Sequence, residues 1–283
     1  MKITNKQNLP QAFVNAVSHE RHNQKGCYSA TTLLHGFCET ILTERHYDEL
    51  EVDAADSIWT IFGTAVHSVF EVQKDDTFKE EFFKVPVSNS FVTGRLDCYD
   101  MEKEQVIDWK TASAWKVVYR DFDDWKKQGL IYAWLLKKNN LTVRSCRFVA
   151  LLKDFSRSKA SQNPSTYPQS PVYVYEFAVT DKDLAEIEKW IQSRVESLEA
   201  LENVPSSQLP QCSNEERWAD PPTFAVKKEG RKTALKVCSS REEAEKYLTE
   251  KGGDFIEERK GESKKCVDYC ICRNFCPYYS NRA

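Results

Sequence analysis

The segment GRLDCYDMEKEQVIDWKT, residues 94–111, places an acid and a base inside what otherwise has the composition of a core strand. Asp108 and Lys110 are the two charged residues in the otherwise apolar stretch from Val106 to Lys110. Residues two apart on a strand point to the same face, and a buried charge is costly unless another group pairs with it. Asp108 and Lys110 are therefore either a surface salt bridge on an edge strand or part of a site.

A second aspartate precedes this pair on the neighbouring predicted strand. Asp97 ends a strand that follows Gly94, and a hairpin through YDMEKE would set Asp97 beside Asp108. Two carboxylates that close repel each other unless a divalent cation lies between them. Mg²⁺ accepts one or two protein carboxylates and completes its shell with water and phosphate oxygens. Lys110 would then stabilise developing charge on a phosphate and help to activate an attacking water.

Hydrophobic periodicity predicts an α/β fold. Apolar residues at helical spacing predict helices over 28–50, 58–72, 124–138 and 181–201. Runs rich in Val, Phe and Ile predict strands over 82–87, 91–99, 105–111, 144–153 and 172–179, with a Ser/Pro/Asn-rich loop over 156–170. This order describes a central mixed sheet with helices on its faces.

The composition changes after Leu209. A hairpin turning at Glu229-Gly230, a helix over 240–253 and a strand over 254–260 lead into a cysteine-rich tail. We therefore expect two domains, a core over 1–209 and a small β-α-β appendage with its tail over 210–283.

Bulk properties restrict the function classes. The formal net charge of -3 gives no overall basic bias, so a nucleic-acid partner would be held by local patches. The apolar run from Leu130 to Leu136 is too short to span a bilayer, and the N-terminus lacks the apolar core of a signal peptide. These features predict a cytoplasmic protein with no membrane partner.

Four of the ten cysteines crowd together near the C-terminus, at positions 266, 270, 272 and 276. In a reducing compartment, clustered cysteines bind metal more often than they form disulfides. Cys270 and Cys272 would point opposite ways in an extended chain, so Cys272 is not expected to be a ligand. Cys266, Cys270 and Cys276 have spacings suited to wrapping a metal centre, which leaves a fourth ligand to be found.

Two helices carry further polar residues near the predicted strands. His67 follows a glycine on the second helix, with Glu71 one turn later on the same face. Gln128 and Tyr132 lie four apart on the otherwise apolar helix after Lys110. Alone, His67 would most often be a hydrogen-bonded core or surface histidine, and Gln128 with Tyr132 would mark the polar edge of an amphipathic helix. Here, however, these residues occur along the chain together with the two strand motifs.

Taken together, these residues resemble the RecB-like branch of the PD-(D/E)xK nuclease superfamily. That branch pairs a helical histidine, a GxxD strand, a DxK strand and a Q-x-x-x-Y helix, here His67, GRLD, DWK and Gln128 with Tyr132. The resemblance covers about 28–180, and the C-terminal segment resembles that of phage and prophage exonucleases. Leu96 stands where proline precedes the aspartate in the superfamily's name motif.

The resemblance implies a restriction-endonuclease-like core and assigns roles to its residues. The implied ligands of Mg²⁺ or Mn²⁺ are His67, Asp97, Asp108 and the main-chain carbonyl of Trp109. Lys110 would orient and activate the nucleophilic water, Gln128 and Tyr132 would position the DNA strand, and Glu71 is a weaker candidate.

The resemblance also bears on the cysteines. Some RecB-like nucleases bind a [4Fe–4S] cluster through one distant cysteine and three near the C-terminus. We choose Cys212 as the distant ligand because it lies at the start of the predicted appendage and Cys266 lies at its end. Cys27 and Cys38 remain alternatives. Zinc also takes four thiolates, and a site without metal stays open. The metal would have a structural role.

Two basic segments are candidate DNA contacts. The predicted hairpin carries Lys227, Lys228, Arg231, Lys232 and Lys236, and the loop over 153–159 adds lysines and Arg157. Such runs are often only solvated faces, but beside a nuclease motif they suit phosphate binding.

These features predict a metal-dependent DNA exonuclease that processes DNA ends in phage recombination or replication. A structure-specific or nicking endonuclease on the same core is the alternative within enzymes. An inactive DNA-binding protein is the alternative from another class, although intact His67, Asp97, Asp108 and Lys110 oppose it. DNA is the expected partner, together with a phage recombination or single-strand-binding protein.

Overall fold

The computed structural model describes residues 1–18 and 24–280. The strands are β1 (Lys2–Thr4), β2 (Cys27–Ser29), β3 (Glu51–Asp53), β4 (Thr77–Val87), β5 (Ser90–Asp100), β6 (Gln105–Ala112), β7 (Ser145–Leu152), β8 (Val172–Ala178), β9 (Thr223–Lys227), β10 (Lys236–Cys238) and β11 (Phe255–Arg259). The α-helices are α1 (Gln11–Val17), α2 (Ala30–Leu33), α3 (Phe37–Arg45), α4 (Ile58–Glu71), α5 (Ala114–Val118), α6 (Asp123–Lys138), α7 (Arg157–Gln162), α8 (Asp181–Leu201), α9 (Arg241–Lys251) and α10 (Pro277–Ser280).

The chain divides into two compact units. The first comprises Met1–His35 and Glu44–Pro205, and the second comprises Gly36–Thr43 together with the chain from Ser206 onward. The short segment Gly36–Thr43 thus groups with residues far away in sequence, which the sequence did not indicate.

The first unit is built on a six-stranded mixed sheet. Its order is β2-β5-β6-β7-β8, with β4 paired to β5. β6 and β7 are parallel, while β5–β6 and β7–β8 are antiparallel. The predicted α/β class with a central mixed sheet flanked by helices is therefore confirmed.

Strand β5 has an interrupted edge. β4 pairs with it from Ser90 to Asp100 on one side, whereas on the other side β2 pairs only with Phe91–Thr93 and β6 only with Cys98–Asp100. Within residues 1–18 and 24–280, the segment Gly94–Asp97 between them has no strand neighbour on that edge. The sheet opens at the GRLD motif, and this opening gives other groups access to Asp97.

Helix α6 connects the parallel strands β6 and β7, as a crossover must. Asp123 and Asp124 occupy its first turn, and Lys137 and Lys138 occupy its last, as the helix dipole favours. Its residues 128–136 are all buried, and Ile131 and Leu135 are fully enclosed. A Cβ on Gly94 would lie 2.6 Å from Cδ1 of Leu135, so glycine permits the helix to approach β5 this closely.

Several predicted boundaries were wrong. The helix expected over 28–50 is strand β2 followed by two separate helices, α2 and α3. The Ser29 side chain accepts a hydrogen bond from the Thr32 N–H and so begins α2 where continuous helix was expected. The chain breaks again before Gly36, where a Cβ would lie 2.6 Å from the sulfur of Cys212.

Several elements of the first unit were missed or shortened. β4 begins at Thr77 rather than at residue 82, because Lys79, Glu80 and Glu81 obscure the apolar pattern of its first half. Helix α7 lies inside the predicted loop, where the Ser156 side chain caps it by accepting from the Lys159 N–H. The short parallel pair β1–β3 gave no sequence signal.

The second unit contains a three-stranded antiparallel sheet in the order β10-β9-β11. Helix α9 covers it through a small core of Val226, Cys238 and Ala244. The hairpin, helix and strand therefore follow the predicted order. Gly252 ends α9 with a φ of 84°, which glycine adopts without strain. Within 1–18 and 24–280, no helix has the length and apolar character to cross a membrane.

Candidate active site

Asp97 is held in the opening of β5 by two different elements. Its Oδ1 lies 3.2 Å from Nδ1 of His67 on α4, and its Oδ2 accepts a 2.8 Å hydrogen bond from the Trp109 N–H on β6. The ring of Phe70 stacks on that of Trp109 with centroids 4.2 Å apart, which fixes α4 against β6. The hydrogen bond to Asp97 raises the pKa of His67, although burial opposes it.

Asp108 and Lys110 form an ion pair on β6, in which Asp108 is buried and Lys110 is half-buried. Only 2% of Asp108 is exposed, and the ammonium of Lys110 lies 2.7 Å from its Oδ2. The same ammonium also donates a hydrogen bond to Oε1 of Gln128, at 2.9 Å. Burial raises the pKa of Asp108 to about 6 against the opposing charge of Lys110.

Gln128 and Tyr132 extend this chain of polar contacts along α6. The Gln128 amide donates a 2.9 Å hydrogen bond to Oη of Tyr132, and both side chains are buried. The predicted residues Asp108, Lys110, Gln128 and Tyr132 are thus brought into one connected line. Because Gln128 is held from both ends, it fixes the position of the Lys110 ammonium.

Glu80 is a site residue that the sequence reasoning missed. Ligand atoms of His67, Glu80 and Asp97 all lie within 4.8 Å of one another. Glu80 sits opposite Asp97 in the β4–β5 ladder, between the pairs Lys79↔Cys98 and Glu81↔Leu96. Burial, with Asp97 and Glu71 nearby, raises its pKa. The only sequence signal was an acidic residue in a strand one hairpin before GRLD.

The donors fit a hard divalent cation. Carboxylate oxygens and an imidazole suit Mg²⁺ and Mn²⁺, and three carboxylates near one another are stabilised by such an ion. Of the predicted ligand set, the structure groups His67 and Asp97 with Glu80, while Asp108 contacts Lys110. Glu71 contributes charge near Glu80.

A pocket in the second unit gathers six of the ten cysteines. It is lined by Cys38, Cys212, Cys266, Cys270, Cys272 and Cys276. The Cys38 thiol donates hydrogen bonds to the sulfurs of Cys212 and Cys276, which raises the pKa of Cys38. The four predicted ligands all line this pocket, and the alternative Cys38 does so too. The other alternative, Cys27, lines a different cleft, beside Thr93 and Gly94 in the first unit.

The expected orientation of Cys272 was wrong. The chain is not extended here, because residues 265–269 form a π-helical turn and residues 273–275 a 3₁₀ turn. Cys272 consequently faces the pocket, with its sulfur 3.5 Å from that of Cys270. It is also 1% exposed, as a ligand enclosed by protein would be.

The basic residues of the β9–β10 hairpin differ in their contacts. Lys227 pairs with Glu257 at 2.6 Å, and Lys236 pairs with Glu243 at 2.7 Å. In the part of the chain that the structure describes, Lys228, Arg231 and Lys232 have no carboxylate partner. These three lie in the turn, where they are accessible to an anion.

The model of the PD-(D/E)XK nuclease superfamily matches residues 64–215. The match covers more than half of the chain and contains the site from His67 to Tyr132. The chain belongs to this superfamily and is a hydrolytic nuclease, so the family and enzyme class predicted from the motifs are confirmed.

Several solved structures are similar to this chain. SSO0001 is 20% identical with a TM-score of 0.45, covering 69% of this chain and 85% of its own. A phage-related exonuclease from Haemophilus somnus 129PT is 12% identical with a TM-score of 0.38, covering 66% and 97%. An alkaline exonuclease from Laribacter hongkongensis is 12% identical with a TM-score of 0.38, covering 62% and 89%. Comparison with curated protein sequences gives no match.

Proposed function

We propose that this protein is a divalent-metal-dependent exonuclease that hydrolyses DNA from its ends. The observation that carries the proposal is the opening of β5. There His67, Glu80 and Asp97 converge beside the Asp108–Lys110 pair, in which Asp108 is buried. A surface salt bridge would need neither this burial nor the contacts of Lys110 to α6.

The residues divide the chemistry between them. His67, Glu80, Asp97 and Asp108 would hold Mg²⁺ or Mn²⁺, with the Trp109 carbonyl as the predicted main-chain ligand. Bound there, the ion would polarise the scissile phosphate and lower the pKa of the attacking water. Lys110 contributes a positive charge held in place by Asp108 and Gln128. A fixed charge stabilises the developing charge on phosphate without reorganising during the reaction.

Degradation of defined DNA tests the activity. Wild type should degrade linear DNA with Mg²⁺ or Mn²⁺, leave closed circular DNA intact and be inactive in EDTA. Lys110→Gln should lower turnover by about 100-fold or more with little change in DNA affinity, since its charge acts in the transition state. Lys103→Gln is the matched control, because Lys103 pairs with Asp100 in the same hairpin but away from the opening.

The outcomes separate the alternatives. Cleavage of circular DNA at equal rate would favour the endonuclease, and normal activity in EDTA or in Lys110→Gln would contradict the proposed site. DNA binding without cleavage under any metal would favour the inactive DNA-binding protein. A role in phage recombination, the single-strand-binding partner and a cytoplasmic location belong to the same proposal.

The cysteine pocket is proposed to bind a [4Fe–4S] cluster through Cys212, Cys266, Cys270 and Cys276, with Cys38 as the alternative distant ligand and Cys272 as the alternative to Cys270. Support comes from the gathering of these thiols around one pocket. Protein purified without oxygen should be brown and contain iron and sulfide. Each ligand's change to alanine should bleach it, whereas Cys238→Ala, buried in the core beneath α9, should not. Colourless protein with stoichiometric zinc would select zinc instead.

The hairpin lysines and arginine are proposed as secondary phosphate contacts. Lys228, Arg231 and Lys232 are the stronger candidates, because Lys227 and Lys236 already pair with carboxylates. Changing these three to glutamine should weaken DNA binding uniformly across sequences and reduce its salt dependence.

A further inference from the structure

Helix α4, which carries His67, exposes large apolar side chains beside the nuclease site. None of its residues is buried, although its sequence is predominantly apolar. Trp59 is 56% exposed and Phe62 38%, with ring centroids 6.3 Å apart in an edge-to-face contact. Trp59 precedes His67 by eight residues, which is about 12 Å along a helix. These rings therefore lie a short distance from the metal ligands.

A second pair of exposed rings follows β6. Trp115 is 43% exposed and Tyr119 74%, and their rings stack with centroids 5.9 Å apart on α5. Trp115 is only five residues beyond Lys110. The first pair thus lies on the helix that carries His67, and the second pair follows the strand that carries Asp108 and Lys110.

Cations cover both tryptophans. Nζ of Lys153 lies 3.8 Å from the ring centroid of Trp59, and Nζ of Lys159 lies 5.0 Å from that of Trp115. In each case a positive charge lies over the ring of a partly exposed tryptophan. This combination suits a ligand with alternating flat rings and negative charges.

Hydrogen bonds join the two clusters at one place in the sheet. The Lys153 N–H donates to the Ala112 carbonyl at 3.0 Å. The next residue, Asp154, accepts from the Ala114 N–H at 2.6 Å and from the Ser113 hydroxyl at 2.7 Å. The ends of the parallel strands β6 and β7 are thereby tied together. Trp59 and Trp115 flank this junction, two residues beyond the catalytic lysine.

We propose that Trp59, Phe62, Trp115 and Tyr119, with Lys153 and Lys159, bind single-stranded DNA adjoining the cleavage site. Bases stack on aromatic rings irrespective of sequence, while lysines contact the phosphates between them. Paired bases in a duplex already have their faces covered by neighbours, so only an unpaired strand can use these rings. The inference rests on the proposed nuclease function and specifies its substrate as DNA with an unpaired stretch at the site.

Binding of the full chain to DNA in EDTA tests the inference without cleavage. The probes are a fluorescent oligothymidylate and a blunt duplex of the same length, measured by anisotropy. Trp59→Ala and Trp115→Ala should each weaken oligothymidylate binding about tenfold, the effect of losing one stacked base, and leave duplex binding unchanged. Lys153→Gln and Lys159→Gln should each reduce the salt slope of single-strand binding by about 0.7.

Trp218→Ala is the matched control. Trp218 is 52% exposed, and Nζ of Lys265 lies 5.8 Å from its ring centroid, but it belongs to the second unit. Its change should leave both affinities unaltered. Because Trp115 also contacts Tyr167 edge-to-face, Trp59→Phe and Trp115→Phe provide variants that keep a ring. They should retain single-strand affinity while losing the tryptophan fluorescence that oligothymidylate quenches in wild type.

Two results would overturn the inference: unchanged single-strand affinity in both alanine variants, or equal losses for single strand and duplex. These binding results are independent of catalysis. If the protein has no nuclease activity but its single-strand affinity depends on both tryptophans, the proposed function is contradicted and the binding surface is supported. If the protein is an active nuclease and neither tryptophan affects single-strand binding, the binding surface is contradicted and the proposed function is supported.

Discussion

Glu80 has a backbone φ of 54°, a conformation that a residue other than glycine adopts only at a cost. It lies within a long strand, β4, where extended backbone is available on either side. The distortion occurs opposite Asp97, where Glu80 joins His67 and Asp97 in the ligand group. We attribute the strained conformation to the placement of this carboxylate in the site.

Glu80→Gln should therefore weaken metal binding while preserving the fold. We expect the Mg²⁺ concentration for half-maximal activity to rise about tenfold, equivalent to about 1.4 kcal/mol. Mn²⁺ titration calorimetry should show the same loss. The adjacent Glu81→Gln is the control, because Glu81 pairs with Leu96 in the ladder and is outside the ligand group. Equal metal affinity in both variants would remove Glu80 from the site.

The metal-free protein should lose stability as pH rises through the range where Asp108 titrates. Burial raises the pKa of Asp108 from 3.8 to about 6, so the folded state binds a proton that the unfolded state releases. The contribution is fully present below the unfolded pKa and is lost as pH rises through about 6. His67, whose pKa is also raised, contributes in the same direction above its usual range.

Urea unfolding in EDTA at a series of pH values measures this effect. The free energy of unfolding should fall between about pH 4 and pH 6 more steeply in wild type than in Asp108→Asn, which has no titrating group there. Saturating Mg²⁺ should reverse the trend, because the metal binds the ionised ligands and stabilises the folded state. Parallel pH profiles for the two metal-free proteins would contradict the assigned shift.

At the scale of elements, the contact between β5 and α6 determines the geometry of the site. α6 carries Gln128 and Tyr132, which position Lys110, and its side chains pack directly against Gly94 of β5. The glycine of GRLD therefore has a packing function that couples the strand motif to the Q-x-x-x-Y helix. The two motifs depend on each other although they are far apart in sequence.

Gly94→Ala should disturb both stability and catalysis. The added Cβ would lie 2.6 Å from Leu135 and 3.0 Å from Tyr132, and overpacking of this kind costs about 1–3 kcal/mol. Displacement of Tyr132 should also lower turnover through Gln128 and Lys110. Gly63→Ala on α4 is the control, since its nearest contact would be 3.9 Å; alanine should stabilise that helix slightly. The melting temperature and the turnover rate should both be lower in Gly94→Ala than in Gly63→Ala. Equal melting temperatures and turnover rates in the two variants would argue against tight packing at Gly94.

At the scale of the whole molecule, the cysteine pocket closes long stretches of chain within the second unit. Cys38 lies in the segment Gly36–Thr43, while its pocket partners come from residues beyond Ser206. A metal centre binding thiols so far apart in sequence would stabilise the unit by restricting the unfolded chain and by its ligand bonds.

Removal of that centre should consequently loosen the second unit alone. Hydrogen exchange of Cys276→Ala, or of protein stripped of metal, should accelerate in β9, β10 and β11 and remain slow in β5 to β8 of the first unit. Cys146→Ala is the control, since Cys146 is buried on β7 and lies in the first unit. Uniform acceleration across both units would show that the pocket stabilises the entire chain.

The sequence by itself determined the site residues that a local pattern can specify. Spacing along one strand put Asp108 and Lys110 on one face, and spacing along one helix aligned Gln128 with Tyr132, because these relations follow from covalent geometry. Together with His67 and GRLD, they sufficed for the superfamily. The predicted helix over 28–50 was wrong because the capping by Ser29 and the break before Gly36 depend on specific contacts. Hydrophobic periodicity gives no information about such contacts.

Only the tertiary structure decided which distant residues meet. The register of the β4–β5 hairpin placed Glu80 opposite Asp97, and chain closure brought Cys38 and Cys272 to the cysteine pocket. The tie between the ends of β6 and β7 set Lys153 over Trp59. Each of these depends on packing between segments well separated along the chain, and residue spacing within a single segment carries no information about such contacts.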